Sequence, residues 1–284
     1  MIGSVGDKMT IRKITNRLLP ALLIGLGTCS VAWAECRDEW ICVDAINEGD
    51  NVELRARNLR NYPITFTLSI GGGDRPQTVT RTLAPRQSEQ VMQVPGPGGK
   101  PASEFRISYD WTVGDKDAIH DDDHLYSLPY SSGKSYRVLQ GYGSRFSHTG
   151  LEEFAIDLDM PVGTPVHAAR AGVVARVMES HSKGCWDDGC GKYANYIVIL
   201  HSDGTTGEYY HLNRNGAIVF VGDSVAQGQR IGYSGNTGHS TMPHLHFAVY
   251  RATDWGNTQS IPVRYRSADG IVIKPRRGAQ YRAL

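Results

Sequence analysis

Short alternations of apolar and polar residues run through most of the chain. Val52-Glu53-Leu54-Arg55-Ala56-Arg57 puts its apolar and charged side chains on opposite sides of an extended backbone. Ile64-Thr65-Phe66-Thr67-Leu68-Ser69-Ile70 repeats the pattern and is closed by Gly71-Gly72-Gly73, and Phe105 to Trp111 repeats it again. Period-two runs between turn residues predict strands, so residues 35–113 read as a small antiparallel β-sandwich. From about Tyr136 the pattern shifts, with more glycines and gathering histidines. A nearly continuous apolar run, Asn195 to His201, turns at Asp203-Gly204 and returns to Tyr209-Tyr210-His211-Leu212, a hairpin signal. Further on, Leu245, Phe247 and Val249 share one strand face while His244, His246 and Ala248 share the other. Residues 135–284 therefore form a second β-rich domain, with 114–134 as a linker. Asp121-Asp122-Asp123-His124 in that linker invites a cation, but clustered acids in a connector read more simply as a solvated stretch.

The first 34 residues follow neither pattern. Lys8, Arg12, Lys13 and Arg17 accompany an apolar run from Leu18 to Leu26, and Ala32-Trp33-Ala34 supplies a small-x-small cleavage site. This is an export signal ending at Ala34. The run is broken by Pro20, Gly25 and Gly27 and falls short of the ~20 residues a membrane span needs. Lipid attachment at Cys29 is a poor fit after Leu26-Gly27-Thr28.

Removing the leader changes the charge and the cysteine count. The chain has 284 residues and a net charge of +1; losing four basic side chains and Asp7 leaves 26 Lys+Arg against 28 Asp+Glu, a net of −2. No positive field remains to attract a nucleic acid. The 32 glycines and 13 prolines agree with a turn-rich β protein. Of five cysteines, Cys36, Cys42, Cys185 and Cys190 stay with the mature chain. Three connectivities are open, and sequence proximity favours Cys36–Cys42 with Cys185–Cys190. A four-cysteine zinc site lacks the C-x2-C spacing, and an exported chain favours disulfides.

The strongest chemical signal is Ser234 to Phe247, which contains His239, His244 and His246. Two imidazoles on one polar strand face can share a metal ion. Asp157 lies in the apolar segment Phe154-Ala155-Ile156-Asp157-Leu158, where an unpaired carboxylate is costly and a cation removes the cost. With His211 these residues offer carboxylate and imidazole ligands for a catalytic zinc, with a fourth position left to water. Further histidines are available to move protons or stabilise an oxyanion. The expected chemistry is amide hydrolysis.

At these residues the chain resembles the lysostaphin-type zinc metallopeptidases, which cleave peptide bonds in bacterial peptidoglycan. The likeness runs from about Tyr136 to Tyr250. It includes Ala155-Ile156-Asp157, Pro161-Val162-Gly163-Thr164-Pro165-Val166, Tyr209-Tyr210-His211-Leu212 and Pro243-His244-Leu245-His246-Phe247. The resemblance implies a β-rich fold with an open groove and one Zn2+ at its floor. It implies Asp157 and His246 as metal ligands, His211 and His244 as catalytic non-ligands, and Gly235, Thr237 and Gly238 in the turn before the last strand. The family has a histidine four residues before the aspartate, where this chain has Glu153. His148, reaching the metal through a longer loop, is the first candidate for the missing ligand. Glu153 is the second and a vacant position the third. Tyr209, Asn236, Thr237 and Glu153 are candidates for lining the substrate groove, and Trp186 joins them if the Cys185–Cys190 loop borders it. His167 reads as a groove or surface residue, His201 as structural, His181 and His239 as loop residues, and Lys274-Pro275-Arg276-Arg277 as a solvated tail. The implied protein is an exported, periplasmic zinc endopeptidase acting on peptidoglycan peptides, without a membrane span once the signal is removed. The alternative is a catalytically silent domain of the same fold that binds wall or activates another hydrolase.

Overall fold

The structure, a computed structural model, describes residues 31–37, 39–71, 76–95, 107–187 and 189–284. The expected leader lies outside the described residues except for 31–34, which open the Val31–Arg37 strand. Gly72, Gly73, Phe105 and Arg106 also lie outside them. Among the described residues the regular structure is strand, apart from short 3-10 turns, and no helix is long and apolar enough to cross a membrane. The chain divides into two compact units at Thr112/Val113, with 254–256 belonging to the first.

The N-terminal unit is a β-sandwich. One sheet runs Val31–Arg37, Ile41–Glu48, Asn51–Asn58, Ser88–Pro95, with antiparallel neighbours throughout. The other has Ile64–Ile70 between Gln77–Leu83 and Ile107–Val113. Leu54, Ala56, Ile64, Phe66 and Leu68 are fully buried, as their alternation requires. The polar set on Ile64–Ile70 is buried as well, which the alternation does not foretell. These hydroxyls are satisfied across the strand pair, Thr65 by Thr82 and Thr67 by Thr80, each at 2.9 Å. Cys36 and Cys42 are opposite residues of one hairpin and form a disulfide.

The C-terminal unit is built on a nine-stranded sheet. Its central order is Gly172–Met178, Tyr196–Leu200, Thr206–Tyr210, Leu245–Ala252, Ile156–Leu158, Ser135–Gln140. A smaller sheet of Pro165–His167, Arg230–Ser234 and Leu212–Ala217 contributes Val166, Ile231 and Leu212 to the main core. The large sheet contributes Ile197, Ile199, Tyr209, Leu245, Phe247, Ile156 and Leu158 to that core. Asp203-Gly204 makes the expected turn, with Gly204 at φ 84°, where a side chain is disfavoured. Residues 114–134 differ from the expected linker. They belong to this unit: Leu125–Ser127 pairs with Arg264–Ser267, and Tyr126, Leu128 and Tyr130 are buried in the core. Asp121, Asp122 and Asp123 are exposed, and Asp123 accepts a hydrogen bond from Arg264.

Candidate metal centre

Strand parity and register assemble the site. Leu245 and Phe247 point to the core, so His246 between them points to the opposite face. There Tyr210 is the register partner of His246, His246 of Asp157, and Asp157 of Gln140. Four polar side chains thus form one row across four strands. All of this row except Gln140 is buried.

Asp157 is the hub. His246 Nδ1 is 2.9 Å from Asp157 Oδ1, and Gln140 Nε2 donates to Oδ2 at 2.6 Å. His148 Nε2 is 3.3 Å from the same Oδ1, while its Nδ1 faces the Gly141 carbonyl at 3.3 Å. If Nδ1–H donates there, Nε2 holds a lone pair; it is buried with no hydrogen-bond partner. Among the described residues, His148, Asp157 and His246 are the one group whose ligand atoms converge closely enough for a metal ion, all within 4.8 Å. Burial would push the Asp157 carboxyl up, but the two flanking imidazoles outweigh it and hold it well below the usual carboxylate range. Burial likewise opposes charge on His246, yet Asp157 and Glu152 raise its pKa to about 9. A carboxylate this buried, with imidazoles as its only basic neighbours in the cluster, is an environment that favours a cation.

Two more imidazoles flank the hub. His211 follows Tyr210 and would face the core by parity. Its backbone instead adopts φ 64°, sparsely populated for a side chain, and the ring lies 4.5 Å from that of His244, centroid to centroid. His211 Nδ1–H donates to the Thr237 carbonyl at 2.7 Å. Thr237 is fixed in turn, its Oγ1 donating to the Leu212 carbonyl and accepting from the Asn195 amide. Burial, followed by the charges of His244 and His246, depresses His211 well below the usual histidine value, so it is neutral and presents Nε2 as an acceptor. His244 Nδ1 donates to the Met242 carbonyl at 2.8 Å, and its Nε2 is 3.9 Å from Asp157 Oδ1.

Residues 152–261 match Peptidase family M23. The C-terminal unit carries an M23 domain. The chain is also similar to curated proteins. It is 34% identical over 124 residues to the peptidoglycan DD-endopeptidase ShyA of Vibrio cholerae, covering 42% of this chain and 26% of that protein. It is 36% identical over 138 residues to the glycyl-glycine endopeptidase ALE-1 of Staphylococcus capitis, covering 48% and 35%. The chain thus spans about a third or less of the length of these relatives. Among solved structures, the catalytic domain of lysostaphin from Staphylococcus simulans is 32% identical, with 44% of this chain and 88% of that one covered and a TM-score of 0.34.

The M23 match begins four residues after His148. His148 and Asp157 are nine positions apart, and a 3-10 turn at Gly150–Glu152 takes up the extra chain between them. Glu153 is exposed and stands apart from the ligand atoms, so the longer loop delivers the histidine and not the glutamate. The groove candidates fare differently. Beside the hub is a cavity of about 600 Å3 walled by Gln140, Phe146, Trp186, His239, Ser240 and Met242, among others. Tyr209 is not in it: it faces the core, and its hydroxyl accepts from the Ala169 amide. Glu153, Asn236 and Thr237 do not line it either, since Thr237 is committed to His211 and Asn236 accepts from Ser240. Trp186 does line it, stacked on Phe146 at 5.4 Å and held by the loop that the Cys185–Cys190 disulfide closes. His239 also packs against Trp186, with ring centroids 4.4 Å apart. Arg277, expected in a solvated tail, also borders the cavity. Gln140, Glu152 and Tyr250 were not anticipated; Tyr250 alone had a signal, since it shares the strand face of His246.

Proposed function

We propose that this M23 domain is a zinc endopeptidase that hydrolyses peptide cross-links of bacterial peptidoglycan, in a protein exported to the periplasm. The observation that carries the reading is the convergence of His148 Nε2, Asp157 Oδ1 and His246 Nδ1, with His148 Nε2 buried and without a hydrogen-bond partner. Two imidazole nitrogens and one carboxylate oxygen are a donor set that fits catalytic zinc and leaves a position open. When bound, zinc supplies Lewis acidity, which polarises a carbonyl and acidifies water.

The remaining work falls to this chain's own groups. His211 donates an Nδ1–H hydrogen bond to the Thr237 carbonyl and is neutral, so its Nε2 is the atom that accepts a proton at the reacting centre. His244, anchored through Nδ1 to Met242, is suited to hydrogen-bond the oxygen on which charge develops. The strained backbone at His211 is the local cost of turning that ring away from the core. The names of ShyA, a peptidoglycan DD-endopeptidase, and ALE-1, a glycyl-glycine endopeptidase, support endopeptidase action, and that of ShyA supports peptidoglycan as the substrate. The silent-domain alternative drew on a vacant ligand position, and His148 beside Asp157 counts against it. The test is digestion of purified sacculi with zinc-loaded protein, followed by chromatography of the released muropeptides. Cross-linked species should fall and uncrosslinked ones rise, with both changes abolished by chelation. An unchanged profile from zinc-loaded protein would contradict the proposal.

A further inference from the structure

Behind His246, on the side away from Asp157, lies a hydrogen-bond chain that the mechanism above does not use. Tyr250 Oη donates to Glu152 Oε2 at 2.6 Å. Its one proton is thereby committed, so the contact between Tyr250 Oη and His246 Nε2 at 3.1 Å has the imidazole as donor. With Nε2–H held by Tyr250, the proton a metal ion would displace is the one on Nδ1, the atom facing Asp157, and its loss leaves the Nδ1 lone pair as the ligand.

The local sequence makes this possible. His246, Ala248 and Tyr250 share one strand face, and the small Ala248 packs with Ala155 and Tyr250. Ala248 leaves room for the tyrosine to lie back along the strand toward His246. Glu152 comes from the 3-10 turn in the lengthened loop between His148 and Asp157. The segment that carries His148 to the hub therefore also carries the carboxylate that orients Tyr250.

We propose that Glu152 and Tyr250 are positioning residues for the metal: together they lock His246 in the Nε2–H tautomer, so that Nδ1 is presented as a ligand. This rests on the zinc reading above. Groups that orient a metal-binding histidine typically change metal affinity about 10–100-fold when removed.

The experiment measures zinc affinity by chelator competition on the full chain, with thermal stability of the metal-free protein recorded in parallel. Tyr250→Phe and Glu152→Ala should each weaken zinc binding about 10–100-fold. Glu152→Gln keeps an acceptor oxygen for Tyr250 and should recover most of the affinity. The Tyr250→Phe/Glu152→Ala double variant should be no weaker than the worse single one, because both act through the same imidazole. The ring 15N shifts of zinc-loaded protein should show His246 protonated at Nε2. Wild-type zinc affinity in the single variants, whatever their stability, would overturn the proposal, as would losses that multiply in the double variant. Should Tyr250→Phe not fold, the Glu152 pair still decides the matter, since Glu152 is on a surface turn. If the wild-type chain takes up no zinc, it is the metal reading that has failed.

Discussion

Two histidine clusters stand out among the described residues of the C-terminal unit, and in one of them the ligand atoms converge closely enough for a metal ion. In the first, His148 and His246 flank Asp157. In the second, His120, His124 and His201 surround the ring of Tyr126, beside Asp203 and Arg170. Both contain a histidine whose Nδ1 faces a backbone carbonyl and whose buried Nε2 lacks a partner: His148 in one, His201 in the other. What differs is the counter-charge. Asp203 already has the Arg170 guanidinium at 2.5 Å and the Thr205 hydroxyl at 2.7 Å, so its negative charge is answered by the chain itself. Among the described residues Asp157 is met by imidazoles and Gln140. His201 Nε2 faces the backbone of Gly207, where a Cβ would sit 2.9 Å away. Histidine density is therefore a poor guide to metal binding. The informative feature is a buried carboxylate for which the fold supplies no permanent cation.

The largest expected contrast comes from replacing the two similarly buried histidines. His148→Ala and Asp157→Ala should each lose zinc, and peptidoglycan hydrolysis should fall on the order of a thousandfold, equivalent to several kcal/mol of transition-state stabilisation. His201→Gln should leave zinc content and activity within about twofold. Metal analysis of the purified variants and a sacculus-digestion assay check this; zinc retained by His148→Ala would remove it from the ligand set. Next in size, His244→Ala should keep zinc and lose turnover about a hundredfold or more. Preserved activity would show that its ring does not assist the reaction.

Two smaller effects probe the second cluster. Arg170→Met leaves the half-buried Asp203 without its cation and should lower stability by about 2 kcal/mol, read in denaturant titration, with zinc uptake unaffected. Loss of zinc in that variant would mean that the clusters are coupled. The last effect is a pH dependence. Burial pushes the His201 pKa down from 6.5 to about 4, so between those values the unfolded chain binds the extra proton and the folded chain does not. Stability from this residue is complete above about pH 6.5 and is lost as pH falls toward 4, amounting to about 1 kcal/mol at pH 5.5. His201→Gln should flatten the acid limb of a melting-temperature profile by that amount, and an unaltered limb would contradict the assignment.

Much of the site was legible because strand parity is rigid. Leu245 and Phe247 define the core side, so His246 must face away, and an aspartate among Ile156 and Leu158 announces an unusual environment. Parity also reveals Tyr250, two steps beyond Ala248. It misleads at His211, where a positive φ breaks the alternation and rotates the ring toward the site. It misleads again at Tyr209, which obeys the alternation and lies in the core although its neighbour Tyr210 is on the His246 face. Glu152 and Gln140 were beyond reach, because a turn and a sheet register set their positions and neither leaves a periodic trace. The 114–134 stretch looked like a linker because its acids are exposed, yet the aromatic residues that follow them anchor the core.

The most direct test is anomalous diffraction at the zinc edge from crystals of the full chain. One peak per chain should lie about 2.0–2.2 Å from His148 Nε2, His246 Nδ1 and an Asp157 oxygen, with none beside His201 or Asp203. A peak liganded by Glu153 in place of His148, or no peak at this hub in zinc-soaked crystals, would contradict the assignment.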